Sequence, residues 1–168
     1  MPIIESLPGK QKPSLYFYGP NIYPDKEYIR RLEETKKVAA LYDLKLFEGE
    51  YDHDSWLSYI MENLPDLPER YPENGKRCLL CFQFRLNKTA GFAKEKGFES
   101  FATTLSVSRF KDTAYINKCG RELADKYQLT YETFPLNGTE AHRKGLELSK
   151  KHDIYRQKYC GCEFSFPN

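Results

Sequence analysis

Four of the five cysteines in this 168-residue chain come in two close pairs. Cys78 and Cys81 lie in "GKRCLLCFQFRL", and Cys160 and Cys162 in "YRQKYCGCEF". Cys119 stands alone in "INKCGREL". Residues three apart share one face of a helix, so the first pair can direct both thiols at one place. Four chemistries compete for these groups. Buried cysteine packs as a small hydrophobe, which suits Cys119. Two pairs can also make a four-thiolate zinc site. The usual ribbon spacing between pairs is roughly 15–20 residues, whereas here it is several times longer and the second pair is not C-x-x-C. An iron–sulfur cluster takes four thiolates. A redox disulfide is best placed at Cys160–Gly161–Cys162, because glycine permits the tight backbone a short ring needs. Such a ring is strained and readily reduced, as a catalytic disulfide must be.

Three basic clusters accompany the thiols. Arg30, Arg31, Lys36 and Lys37 lie on one expected helix, and Arg77, Arg85, Lys88 and Lys94 on another. Lys150, Lys151, Arg156 and Lys158 lead into the Cys-Gly-Cys. Each reads first as a solvated face, but the third adjoins the redox candidate and would steer a polyanion there. In "GEYDHDSWL", Tyr51, Asp52 and Trp56 could face a substrate; capping by Asp52 or Asp54 and packing by Trp56 is the plainer expectation, with His53 exposed. Thr103 and Thr104 end an expected strand, where hydroxyls bind a polar ligand or cap.

These groups must be carried by regular elements. "SLYFY" (14–18) reads as a buried strand closed by the turn chemistry of "GPNIYP". Asp25 looks like an N-cap for a helix over 26–42, with apolar positions at helical spacing. A strand is expected at 44–49, a short helix at 54–64 and a proline-rich loop at 65–74. Asn74 then caps a long helix, 75–96. A strand at 99–105 precedes a helix capped by Asp112 and running to Tyr127. A strand at 129–134 and a helix at 139–152 follow, and "PIIESL" at the start is helical. Alternating strands and helices predict one α/β domain spanning 1–168, a three-layer sandwich around a mainly parallel sheet with right-handed crossovers. Ligands in such sheets bind outside the carboxyl ends of strands. The segments "GPNIYP" and "TTLSVSRFKD" are therefore expected to line the site.

Composition agrees with a globular chain: 40% apolar, 30% charged, net charge +2. That charge is too small to announce nucleic acid. No run approaches the roughly 20 apolar residues of a membrane span, and no signal peptide opens the chain. A cytoplasmic location is expected, where thiols stay reduced unless catalytic or metal-bound. The 13 Tyr and 11 Phe point to a bulky core or to stacking surfaces.

"LYFYGPNIYPDKEYIRR", "GKRCLLCFQFRL", "SFATTLSVSRFKD" and "IYRQKYCGCEFS" together closely resemble the motifs of the QueH family, from about Ser14 to Phe166. The resemblance implies an epoxyqueuosine reductase, which completes queuosine at the wobble position of certain tRNAs. It implies that Cys78 and Cys81 ligate a 4Fe–4S cluster. It also implies that Cys160 and Cys162 form a redox-active disulfide, that tRNA is the substrate carrier and that an external electron donor is needed. The implied fold is Rossmann-like (HUP-like). One departure is expected to matter: the family opens with a strand and an adjacent-cysteine "CCxP" motif that supplies the other two cluster ligands, and "MPIIESL" resembles the segment just after it. A shortened chain and a divergent member without a cluster both fit that departure. The alternative from another class is a zinc-stabilised RNA-binding module without redox activity.

Overall fold

The computed structural model describes residues 1–7, 12–134, 136 and 138–166. Ten regular elements alternate much as expected. Helix α1 (Pro2–Ser6) precedes β1 (Leu15–Phe17), α2 (Asp25–Leu41), β2 (Leu46–Glu48) and α3 (His53–Asn63). The long α4 (Lys76–Glu95) is followed by β3 (Ser100–Phe101), α5 (Thr113–Tyr127), β4 (Thr130–Tyr131) and α6 (Gly138–Lys151). The protein is α/β and mainly helical. Strand β1 pairs β2 in parallel with Leu15 opposite Leu46, and β3 pairs β4 in parallel with Ser100 opposite Thr130. Among the described residues these are two separate two-stranded sheets, not the single sheet of a three-layer sandwich.

The strands are shorter than alternation in the sequence suggests, and β3 shows why. The Thr103 hydroxyl accepts from the Leu105 N–H at 3.2 Å, which turns Thr104–Val107 into a 3-10 turn. Thr103 is thus a cap. Two expected helix caps also shift by a residue. Asp25 is the first residue of α2, after Pro24. The N-cap of α4 is Gly75; Asn74 has φ of 64° and its side-chain amide donates to the Phe110 carbonyl at 2.8 Å. Asp112 caps α5 as expected, accepting from the Tyr115 N–H at 2.9 Å.

Helix α4 is the spine. Phe82, Leu86, Ala90 and Ala93 recur along one stripe and pack with Ile116, Cys119, Leu123 and Ala124 of α5. Gly120 lets α5 approach β4, because a Cβ there would run into the Tyr131 ring. On the other side Phe92 stacks on Tyr16 of β1 with ring centroids 4.1 Å apart. The aromatic richness is thus largely core. A second cluster joins Trp56, Ile60 and Leu64 to Cys81 and Cys162. Trp56 is 1% exposed, so its packing role holds.

Candidate active site

Helix geometry brings Cys78 and Cys81 to one buried face near the start of α4. Burial pushes both thiols up, Cys81 to about 11. Polar groups work against that push. The Asn74 N–H donates to Cys78 Sγ at 3.3 Å. Arg77 and Lys111 lower the Cys78 thiol, and Arg85 that of Cys81. An N–H donor and nearby cations are what a thiolate ligand needs. The pair therefore fits two of the ligand positions of a thiolate-held cluster. Among the described residues, no group of three or more His, Cys, Asp or Glu is arranged to hold a metal ion.

The Cys160–Gly161–Cys162 loop is brought to the same place from the other end of the chain. Gly161 has φ of 134°, which only glycine adopts without strain. A Cβ there would lie 2.9 Å from Arg31 Nη1 and 3.3 Å from Asn21 Nδ2. Arg31 anchors the loop from α2. Its Nη1 donates to the Cys160 carbonyl at 3.0 Å, its Nη2 to the Tyr159 carbonyl at 3.2 Å, and its Nε to Glu27 at 2.8 Å. The Tyr23 N–H donates to the Gly161 carbonyl at 2.7 Å. The Tyr159 hydroxyl donates to the Tyr23 carbonyl. Both thiols are free. Cys162 is buried, with its sulfur 3.4 Å from Ser165 Oγ, and burial raises it. Cys160 is only half-buried, and the Lys111 ammonium donates to its sulfur at 3.1 Å.

Both segments expected at strand ends therefore reach the loop: "GPNIYP" through Asn21, Ile22 and Tyr23, and "TTLSVSRFKD" through Lys111. Charge interactions couple Cys160 with Cys78, Cys81 and Cys162, so all four paired cysteines share one neighbourhood.

Comparison with known proteins agrees with this geometry. The family model for epoxyqueuosine reductase QueH matches residues 2–168. The chain is 39% identical over 155 residues to the epoxyqueuosine reductase QueH of Thermotoga maritima, covering 89% of this chain and 77% of that protein. It is 37% identical to that of Histophilus somni, covering 90% of this chain and 61% of the relative. To that of Acinetobacter baylyi it is also 37% identical, with 90% and 68% covered. The chain belongs to the QueH family. It spans about 61% of the length of the Histophilus relative.

Within this QueH chain the basic residues sort differently from their expected solvated faces. Arg77 is 3% exposed, donates to the Pro68 carbonyl at 2.6 Å and lies 4.9 Å over the Phe164 ring. It lowers Cys78 and Cys162, so it is a buried counter-charge to the thiols. Lys88, Lys94, Lys150, Lys151 and Lys158 are exposed, whereas Arg156 is half-buried. His53 is not exposed as expected. Its Nδ1 lies 2.7 Å from the Pro20 carbonyl and must donate to it, leaving Nε2 3.5 Å from Glu163. Asp52 holds the N-cap position of α3 without a side-chain cap bond. The Tyr51 hydroxyl donates to the Ile22 carbonyl at 2.6 Å, which braces the "GPNIYP" loop. Lys111 and Asn21 were missed in the sequence. Asn21 is 1% exposed with an unpartnered Oδ1, and only its place in the loop after β1 hinted at a site.

Proposed function

We propose that this chain is the reductase that removes the epoxide oxygen of epoxyqueuosine at the wobble position of tRNA. The supporting observation is the convergence of the Cys78–Cys81 face, the Cys160–Gly161–Cys162 loop and Lys111 in a chain of the QueH family. The reaction breaks both C–O bonds of the epoxide, forms a C=C bond and releases the oxygen as water. It consumes two electrons and two protons. Cys160 and Cys162, as a dithiol, would supply both pairs on closing to a disulfide. An external reductant then reopens it. Cys160 is the sulfur a substrate reaches, since the other four cysteines are buried. Cys78 and Cys81 would hold a 4Fe–4S cluster by two of its thiolates, and such a cluster supplies single electrons. We read the two parallel strand pairs as parts of a Rossmann-like sheet, because α4 packs on both β1 and β3. The setting is cytoplasmic; among the described residues no helix is long and apolar enough to cross a membrane.

The test is anaerobic reconstitution with iron and sulfide, metal analysis, and mass spectrometry of nucleosides from epoxyqueuosine-containing tRNA incubated with a chemical reductant. Iron with acid-labile sulfide and newly formed queuosine are expected. Cys78→Ser and Cys81→Ser lose iron. Cys160→Ser and Cys162→Ser keep the iron and abolish turnover. Full turnover by both of the latter sinks the redox role, and loss of their iron makes them ligands instead. Stoichiometric zinc in place of iron would support the RNA-binding module, which no observation so far favours.

A further inference from the structure

The strand-end segment that delivers Lys111 to Cys160 also forms one wall of an open cleft of about 660 Å³. The opposite wall is the first two turns of α6. Its lining includes Ser108, Arg109, Lys111, Thr139 and Arg143, with one carboxylate, Glu140. Glu140 pairs with Lys144 at 3.2 Å and Arg143 with Glu147 at 2.8 Å, both along the exposed surface of α6. Exposed pairs of this kind hold little energy and yield to a phosphate. The walls are pressed together at their base. A Cβ on Gly138 would lie 2.9 Å from the Arg109 backbone, so the start of α6 and the Arg109 main chain form one unit.

Phe110 stands at the rim and is 59% exposed. Its neighbours are those of a stacking platform. The Arg109 guanidinium lies 4.5 Å from its ring centroid, and the His142 ring meets it edge-on at 6.0 Å. The backbone beneath it is held from both sides. The Phe110 N–H donates to Ser108 Oγ at 3.3 Å, and the Phe110 carbonyl accepts from Asn74 Nδ2 at 2.8 Å. An exposed aromatic ring on an anchored backbone, beside arginines that line a cleft, has the makings of a nucleotide site: the ring stacks a base and the cations take the phosphodiester. The local field agrees. His142 is held below its ordinary value by desolvation first, then by the Arg109 and Arg156 cations.

We propose that this cleft binds a nucleotide next to the one being reduced, with Phe110 stacking its base and Arg109 and Arg143 holding its phosphate. This rests on the tRNA-reductase reading and adds to it a single-stranded RNA subsite. Phe110 and Lys111 are consecutive, and Lys111 touches the reacting sulfur. A base stacked on Phe110 therefore sets the register of its neighbour over Cys160.

The test uses the full chain, a fluorescent anticodon stem-loop RNA and an unmodified duplex RNA of equal charge. Binding is measured between low and moderate salt for wild type, Phe110→Ala, Phe110→Tyr and Arg109→Gln/Arg143→Gln. Phe110→Ala is expected to weaken stem-loop binding about tenfold without changing the salt slope, and Phe110→Tyr to restore it. The double variant is expected to lower the salt slope by about one unit, at about 0.7 per phosphate lost. Duplex binding is unmoved by Phe110→Ala. Unchanged stem-loop affinity and slope in the variants overturn the subsite, as does equal loss on the duplex. Turnover of epoxyqueuosine-containing tRNA by wild type is scored separately. Turnover by wild type with unaffected variants leaves the reductase reading standing and removes only the cleft. Absence of turnover by reconstituted wild type removes the reading, while the stem-loop data still decide the cleft.

Discussion

Cys119 is the thiol that the site does not use, and it reports on burial alone. It sits 5% exposed between α5 and α4, and desolvation, then Glu122, pushes it up to about 11. A folded thiol that stays protonated while the unfolded one ionises stabilises the fold below about pH 9 and loses that contribution as pH rises toward 11. Each unit of difference corresponds to about 1.4 kcal/mol. Stability is therefore expected to be flat to about pH 9 and then to fall. Cys119→Ala should cost about 1 kcal/mol at neutral pH through its small cavity yet flatten the alkaline slope. Cys81, also raised to about 11, keeps part of that slope. Urea midpoints from pH 7 to pH 10.5 check this, and an identical slope in the variant removes Cys119 from the account. Gly161 shows a different kind of constraint, because its φ of 134° and the closeness of Arg31 leave no room for a side chain.

Helix α2 does more than cover the β1–β2 pair. Its inner face holds the returning chain at four points: Arg31 on the Tyr159 and Cys160 carbonyls, Glu27 on the Tyr155 hydroxyl, Glu34 on the Tyr155 N–H, and Arg30 3.5 Å over the Tyr155 ring. The Arg31 and Glu27 side chains are 10% and 11% exposed, so their ion pair is largely shielded from water. Removing one member of such a pair leaves an uncompensated charge, at a cost of about 3 kcal/mol. Arg31→Ala is expected to lower stability by that order and to loosen the Cys-Gly-Cys loop. Arg31→Lys keeps the charge but lacks the planar fork that spans two carbonyls, so the loop loosens with a smaller stability loss. Alkylation of Cys160, the half-buried cysteine, measures loosening directly. Faster alkylation in both variants is expected, and an unchanged rate in Arg31→Ala would show that α2 does not restrain the loop.

Net charge conceals a local distribution. The chain carries only +2 overall, yet Lys150, Lys151 and Lys158 are exposed along the approach to the Cys-Gly-Cys. Arg156 is set apart from them, being half-buried with an unpartnered Nη1. Reversing the three lysines to Glu is expected to weaken tRNA binding and to reduce the salt slope by up to about three units, since each phosphate contact contributes just under one. Fold and melting temperature should stay near wild type, because surface charges contribute little. Titration of tRNA at several salt concentrations measures the slope, and a slope equal to wild type would make these lysines a solvated surface.

The helices were legible in the sequence because a 3.6-residue apolar period and a local cap such as Asp112 are properties of neighbouring residues. The Cys78–Cys81 face was legible for the same reason, since three residues along a helix is a fixed geometry. Strand ends were less so: the Thr103 hydroxyl captured the Leu105 N–H and ended β3 early, a choice between two local hydrogen bonds that composition does not record. The parts of the site that hold it together were not legible at all. Arg31 reaches Cys160 across 129 positions, and Lys111 reaches it across 49. In the sequence each looks like any other basic residue on a helix or loop. Arg77 likewise read as part of a solvated stripe, although its guanidinium lies buried beneath the thiols. Cysteine type and spacing determined which chemistry was available. Which cations and carbonyls surround those sulfurs was decided by long-range packing, because desolvation and charge pairing depend on distance in space and not on distance along the chain.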